Sequence, residues 1–207
     1  MKKIISLFMV LTMVLSLAAC STNQSPSEST PEKQPDSSAE AQQPTDEAGK
    51  TLVVYYSATG NTENVANYIA TATDGDLFEL EPAEPYSDAD LNWTDDNSRV
   101  VREHDDESLR DIELVADTVE NWDSYDTVFI GYPIWWGLAP RIVNTFIESH
   151  DLKGRTVIPF ATSGGSGIAN SVAELQKAYP GLNWQEGRLL NRTDEKTVRQ
   201  WVEALGY

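Results

Sequence analysis

Leu52-Val53-Val54-Tyr55-Tyr56-Ser57-Ala58-Thr59-Gly60-Asn61-Thr62 passes from an unbroken apolar run into a turn rich in hydroxyls. Five apolar or aromatic residues without alternation read as a strand buried on both faces of a parallel sheet. The turn after it opens directly into a helix. Backbone N–H groups and the helix dipole there suit a phosphate. The turn has neither the Walker lysine nor the glycine spacing of dinucleotide folds. A phosphate held here would therefore be neutralised by hydrogen bonds rather than by a cationic side chain.

Working outward, Thr127-Val128-Phe129-Ile130 and Thr156-Val157-Ile158-Pro159-Phe160 repeat the buried-strand pattern, and Leu77-Phe78-Glu79-Leu80 is a weaker, more alternating version. The strands predicted are 52–56, 76–81, 126–131, 155–161 and 182–190. Between them Leu109, Ile112, Ala116 and Val119 share a helical face, as do Ile142, Phe146 and Ile147, then Ile168, Val172 and Leu175, and finally Val198, Trp201, Val202 and Leu205. Pro140 suits the first turn of its helix, and Thr193 suits the cap of the last, with Asp194 and Glu195 in its first turn. Strands alternating with helices predict an α/β fold, a five-stranded parallel sheet with right-handed crossovers and helices on both faces.

In such sheets ligands bind beyond the carboxyl ends of the strands, where the strand order reverses. Three segments qualify: Ser57-Ala58-Thr59-Gly60-Asn61-Thr62, Pro133-Ile134-Trp135-Trp136-Gly137, and Thr162-Ser163-Gly164-Gly165-Ser166-Gly167. In the order 2-1-3-4-5 the strands before them are neighbours, so the loops converge. Adjacent tryptophans beside proline and glycine offer a flat face to a planar ligand. The glycine-rich third loop lets backbone approach a ligand closely.

Tyr56-Ser57-Ala58-Thr59-Gly60-Asn61-Thr62 resembles the flavodoxin phosphate loop, and Trp136-Gly137 resembles the flavodoxin loop over the isoalloxazine ring. The resemblance extends over most of residues 51–207. It implies FMN as cofactor, its phosphate held by Ser57, Thr59, Gly60, Asn61 and Thr62. Trp135 or Trp136 would stack on the ring, Gly137 would offer a mobile peptide beside it, and Thr162 to Gly167 would contact its polar edge. The third loop lacks the aromatic residue that many flavodoxins carry there, which leaves one ring face open or covered by Tyr86 or Trp93. Residues 82–108 form a long acidic connection that reads either as a lid or as mobile surface. His104, within it, reads as a solvated surface histidine.

Ahead of this domain, Met1-Lys2-Lys3 and the apolar run Ile4–Leu17 form a signal peptide over 1–19, too short to span a membrane once mature. Leu17-Ala18-Ala19-Cys20 resembles a bacterial lipobox, which makes Cys20, the single cysteine, a lipid acceptor. Residues 21–50 contain four prolines and no aliphatic side chain larger than alanine. They form a disordered tether with a reach of roughly 30 Å. The protein is thus expected to be exported and lipid-anchored on the outer face of a bacterial membrane.

The chain of 207 residues has a net charge of -18, of which the segment from Thr51 onward carries -16, with 11 basic against 27 acidic side chains. This balance excludes sequence-independent nucleic-acid binding. One cysteine excludes a disulfide framework and multi-cysteine metal sites, and no hydrolytic triad is evident. The acidity disfavours added charge on a reduced ring; with the aromatic stack and the Gly137 peptide that the resemblance implies, this points to a one-electron carrier at low potential. The same charge either steers redox partner proteins that carry a basic docking face or serves the solubility of an exported protein. Two alternatives stand beside it: an FMN-dependent NAD(P)H:quinone-type reductase, and a flavin-free binding module.

Overall fold

The computed structural model describes residues 49–207. The expected signal peptide, the lipid-acceptor Cys20 and nearly all of the tether lie outside that range. Lys50 already pairs with Tyr125, so the first strand begins one residue before the break in composition at Thr51.

Six parallel strands form one sheet: β1 (Lys50–Tyr55), β2 (Asp76–Glu79), β3 (Tyr125–Pro133), β4 (Thr156–Thr162), β5 (Asn183–Trp184) and β6 (Arg188–Leu189). Their order is β2-β1-β3-β4-β5, with β6 also paired to β4. The helices are α1 (Asn61–Thr73), α2 (Arg99–Asp105), α3 (Arg141–Ser149), α4 (Ala169–Ala178) and α5 (Glu195–Ala204).

Alternation along β1 sorts the core into two layers. Leu52, Val54 and Tyr56 pack with Ile142, Val143 and Phe146 of α3 and Leu175 of α4. Val53 and Tyr55 pack with Val65, Ala66 and Ile69 of α1 and Val198, Trp201 and Val202 of α5. Helices cover both faces, which is why β1 and β3 tolerate no polar alternation. Gly131 sits opposite Phe160 in the β3–β4 ladder, and a Cβ there would lie 2.1 Å from the Phe160 ring. Its lack of a side chain admits that ring to the core.

The fifth strand, expected as one run over 182–190, is two short pieces. β5 pairs with Thr156 and Val157, and β6 with Phe160 and Ala161, leaving Ile158 and Pro159 without partners on that side. The carbonyls of Val157 and Ala161 accept from Gln185 and Leu190. Residue 159 faces the same side by alternation, and proline has no N–H to give the ladder. Gly187 fills the gap, its Cβ position 2.9 Å from the Pro159 ring.

The helix expected over Leu109–Val119 does not form. A single 3-10 turn covers Glu107–Leu109. The chain then runs beside residues 81–83, with Ala83 N–H donating to Glu113 and Val115 N–H to Glu81. Ile112 and Val119 are buried, but Leu109 and Ala116 are exposed, so the apparent stripe never gathers on one face. The helix of this crossover is α2, inside the 82–108 insert.

Two caps shift by one residue. Asp194, not Thr193, caps α5 by accepting from Thr197 N–H at 2.8 Å, while Thr193 donates its hydroxyl to the Asn191 carbonyl. Pro140 is the cap residue of α3, just outside its first turn.

Candidate functional site

The chain leaves β1 for β2 on one side and returns through β3 on the other, so the order reverses between β1 and β3. The three predicted loops meet at this edge, joined by the turn after β6 and by the 82–108 insert.

In the first loop, Gly60 adopts φ 79° and caps α1 with no side chain bonded to the cap. The first-turn N–H groups are thus left to an incoming acceptor. Ser57 Oγ is buried and has no hydrogen-bond partner. Thr59 is exposed and accepts from Asn61 Nδ2 at 3.0 Å, and Ala58 is half-buried beside them. Thr62 behaves differently: only 1% exposed, it shares a 2.9 Å hydrogen bond with Thr162 Oγ1, which fastens the first loop to the third.

The second loop is a two-residue hairpin turn. Trp135 and Leu138 exchange both backbone hydrogen bonds, and Trp136 (φ 55°) and Gly137 (φ 77°) take left-handed conformations. A bulky residue is strained there by about 1–2 kcal/mol. This geometry separates the two tryptophans. Trp135 turns inward, edge-on to Tyr56 at 5.5 Å and Tyr86 at 5.4 Å. Trp136 is 45% exposed. His104 stacks on it at 4.8 Å with a 19° interplanar angle, so this histidine packs rather than standing free in solvent. Pro133 and Ile134 continue the ladder, with Ile134 N–H donating to the Thr162 carbonyl. The Gly137 carbonyl accepts from Asn170 Nδ2 at 3.0 Å, which ties a peptide expected to be mobile.

In the third loop, Ser163 Oγ accepts from the N–H groups of Gly165 and Ser166, and Ser163 N–H donates to Asn191 Oδ1 at 2.6 Å. Cβ atoms added at Gly164, Gly165 or Gly167 would meet nothing within 4 Å. No neighbouring protein atom demands glycine there, and the open space beside Gly164 and Gly165 belongs to the cleft.

The insert contributes two aromatic residues with different fates. The Tyr86 hydroxyl donates to Glu103 at 2.5 Å, and the Arg99 guanidinium lies 4.1 Å over its ring while also pairing with Glu103. Burial, and then the Glu103 carboxylate, raise the Tyr86 pKa far above its ordinary value. Burial does the same to Tyr56. Both phenols stay neutral and act as packing. Trp93 instead is 68% exposed and lines the cleft.

That cleft has two connected parts. One, about 400 Å³, is bordered by Trp93, Trp135, Trp136 and the Ser163–Ser166 segment. The other, about 840 Å³, reaches Thr59 and Asn61 at the first loop and Asn191, Arg192 and Thr193 after β6. Trp93, Ile134, Trp135, Ser163 and Gly164 border both. Asn170, Asn191 and Arg192 escaped the sequence reading. The signal that could have found the last two is the rule that every loop at the carboxyl edge is a candidate, applied to a strand too interrupted to be read with assurance.

The sequence model of the flavodoxin family matches residues 50–205. A provisionally named flavoprotein from Bacteroides eggerthii is 55% identical with a TM-score of 0.71, covering 77% of this chain and 99% of its own. One from Bacteroides uniformis is 52% identical with a TM-score of 0.71, covering 75% and 98%. A Lactobacillus acidophilus flavoprotein solved in complex with FMN is 26% identical with a TM-score of 0.58, covering 74% and 99%. The matched segment is therefore nearly the whole chain in each of these relatives. No curated protein sequence matches. With the fold, the converging loops and the family match in agreement, the chain belongs to the flavodoxin family.

Proposed function

We propose that residues 49–207 bind FMN and serve as an electron-transfer module held by a lipid on Cys20 to the outer face of a bacterial membrane. The observation that carries the cofactor assignment is Ser57 Oγ, a buried hydroxyl without a partner at an uncapped helix N-terminus. Such a group is costly unless a ligand completes it. The open space beside Gly164 and Gly165 and the exposed Trp136 fit the same ligand at its other end. The solved relative in complex with FMN supports the assignment.

When bound, FMN supplies the redox chemistry. The chain's own residues bind and orient it. Ser57, Thr59 and the first-turn N–H groups of α1 would hold the phosphate, and Trp136 would offer its indole to the ring. Ser163, Gly164, Gly165 and Ser166 would contact its polar edge, with Gly167 closing the loop. The acidic surface steers partners with a basic face. Titrating FMN into the chain without its first 48 residues, followed by flavin fluorescence, tests the binding. Saturable quenching is expected, and unquenched flavin at all protein concentrations overturns the reading in favour of the flavin-free binding module. Palmitate labelling of the whole precursor tests the anchor: incorporation is expected, and equal labelling of Cys20→Ser would remove that part of the proposal.

The reductase reading draws on the cleft itself, whose two parts of about 400 and 840 Å³ each have the size of a small-ligand site. Bleaching of the bound flavin by NADPH alone, without a partner protein, would favour it over the carrier.

A further inference from the structure

The first loop offers hydrogen-bond donors but no cation, in a segment whose charge from Thr51 onward is -16. A phosphomonoester brings between one and two further negative charges at neutral pH. The cleft that reaches Thr59 and Asn61 is bordered by one cationic side chain among the described residues, Arg192, and by no carboxylate.

Arg192 is exposed and forms no ion pair among the described residues, although Asp194 and Glu195 follow it closely. Both are otherwise engaged. Asp194 caps α5 through Thr197, and Glu195 pairs with Arg199 at 2.6 Å. The Arg192 backbone has φ 46°, the left-handed region where glycine or asparagine is normal and a long side chain is strained. Both flanks hold it there. Asn191 Oδ1 accepts from Ser163 N–H, and the Thr193 hydroxyl donates to the Asn191 carbonyl. A fastened turn thus keeps Arg192, without an ion pair among the described residues, at the border of the cleft at some conformational expense.

We propose that Arg192 is the counter-ion of the phosphate held at the Ser57–Thr62 turn, and that it makes the site select phosphorylated over unphosphorylated flavin. The proposal rests on the FMN reading above. A guanidinium supplies charge-assisted hydrogen bonds that the hydroxyls and N–H groups of the turn cannot. Among the contacts that riboflavin, with the same ring and no phosphate, would not use, it is the one that carries a charge.

The test compares FMN and riboflavin binding by flavin fluorescence, with inorganic phosphate as competitor, for the wild-type 49–207 segment, Arg192→Gln and Arg192→Gly. Arg192→Gln is expected to weaken FMN by roughly tenfold, the scale of a lost hydrogen bond to a charged group, and to leave riboflavin unchanged. Inorganic phosphate should compete with FMN in the wild type, and its competition should weaken in the variant. Arg192→Gly should show the same loss of selectivity with a raised Tm, because glycine relieves the left-handed backbone. Equal effects on both flavins, or no effect on FMN, overturn the assignment of Arg192 while the FMN reading stands. A wild-type protein that binds neither flavin overturns both.

Discussion

Thr62 Oγ1 and Thr162 Oγ1 lie 2.9 Å apart in the buried seam between the first turn of α1 and the end of β4. The hydroxyls satisfy each other, so two residues read as ligand contacts serve first as a brace between two ligand loops. Substituting either one by valine leaves its partner buried and unsatisfied, which should cost about 1–3 kcal/mol. Replacing both removes the orphan, and the double variant should be more stable than the sum of the single losses predicts. Urea unfolding of the three variants checks this. Strict additivity would mean that the hydroxyls do not depend on one another.

Trp93 should govern how long the ligand stays rather than how stable the fold is. Its indole borders both parts of the cleft and is 68% exposed. A ligand that spans from Thr59 to Trp136 passes beside it and can bury it. Trp93→Ala should speed FMN release several-fold, on the scale of one aromatic contact. Unfolding stability should change by no more than about 0.5 kcal/mol, as for an ordinary surface site. Stopped-flow release of FMN makes the comparison, and an unchanged release rate would exclude Trp93 from the wall of the site.

The parts of this site that are legible in sequence are those encoded by adjacent residues. Leu52–Tyr56 declares a doubly covered strand, and Ser57–Thr62 declares the turn after it, because pattern and chemistry are both local. How the two tryptophans divide between packing and exposure is not local: it depends on the left-handed φ of Trp136, on the packing of Trp135 against Tyr56 and Tyr86, and on the His104 stack. The split of the last strand arises in a neighbouring strand, where Pro159 withholds an N–H. The loop bearing Asn191 and Arg192 was obscured with it. The spacing of Leu109, Ile112, Ala116 and Val119 fits a helix, but backbone pairing with residues 81–83 prevails there.

His150 should make stability fall on the acid side. It packs on Phe146 at 4.2 Å and on Trp122 at 4.7 Å, and its Nδ1 lies 3.0 Å from the Phe146 carbonyl. Burial lowers its pKa from the ordinary value near 6.5, against the opposing pull of the Phe146 carbonyl and Asp117. The folded protein therefore keeps the imidazole neutral while the unfolded chain takes up a proton. The stability this preserves is present above about pH 6.5 and is lost as the pH falls below it. Denaturant midpoints at pH 7.5 and 5.5 should drop more for the wild type than for His150→Gln. Equal drops would show that His150 does not titrate differently in the two states.

Ser57 sets apo stability against ligand binding. Its Oγ is buried without a partner, so in the absence of ligand the hydroxyl carries a desolvation cost with no hydrogen bond to offset it. Ser57→Ala deletes that cost and should stabilise the apo protein by about 1 kcal/mol. The same substitution removes a donor at the turn where α1 opens without a side-chain cap, and FMN affinity should fall by roughly tenfold. Riboflavin, having no phosphate to receive the bond, should bind the variant as it binds the wild type. The two halves can be measured apart, by thermal unfolding without flavin and by fluorescence titration with it. A variant that is both less stable and unchanged in FMN binding would show that the hydroxyl serves the fold, and the phosphate would then have to rest on Thr59, the helix N–H groups and Arg192.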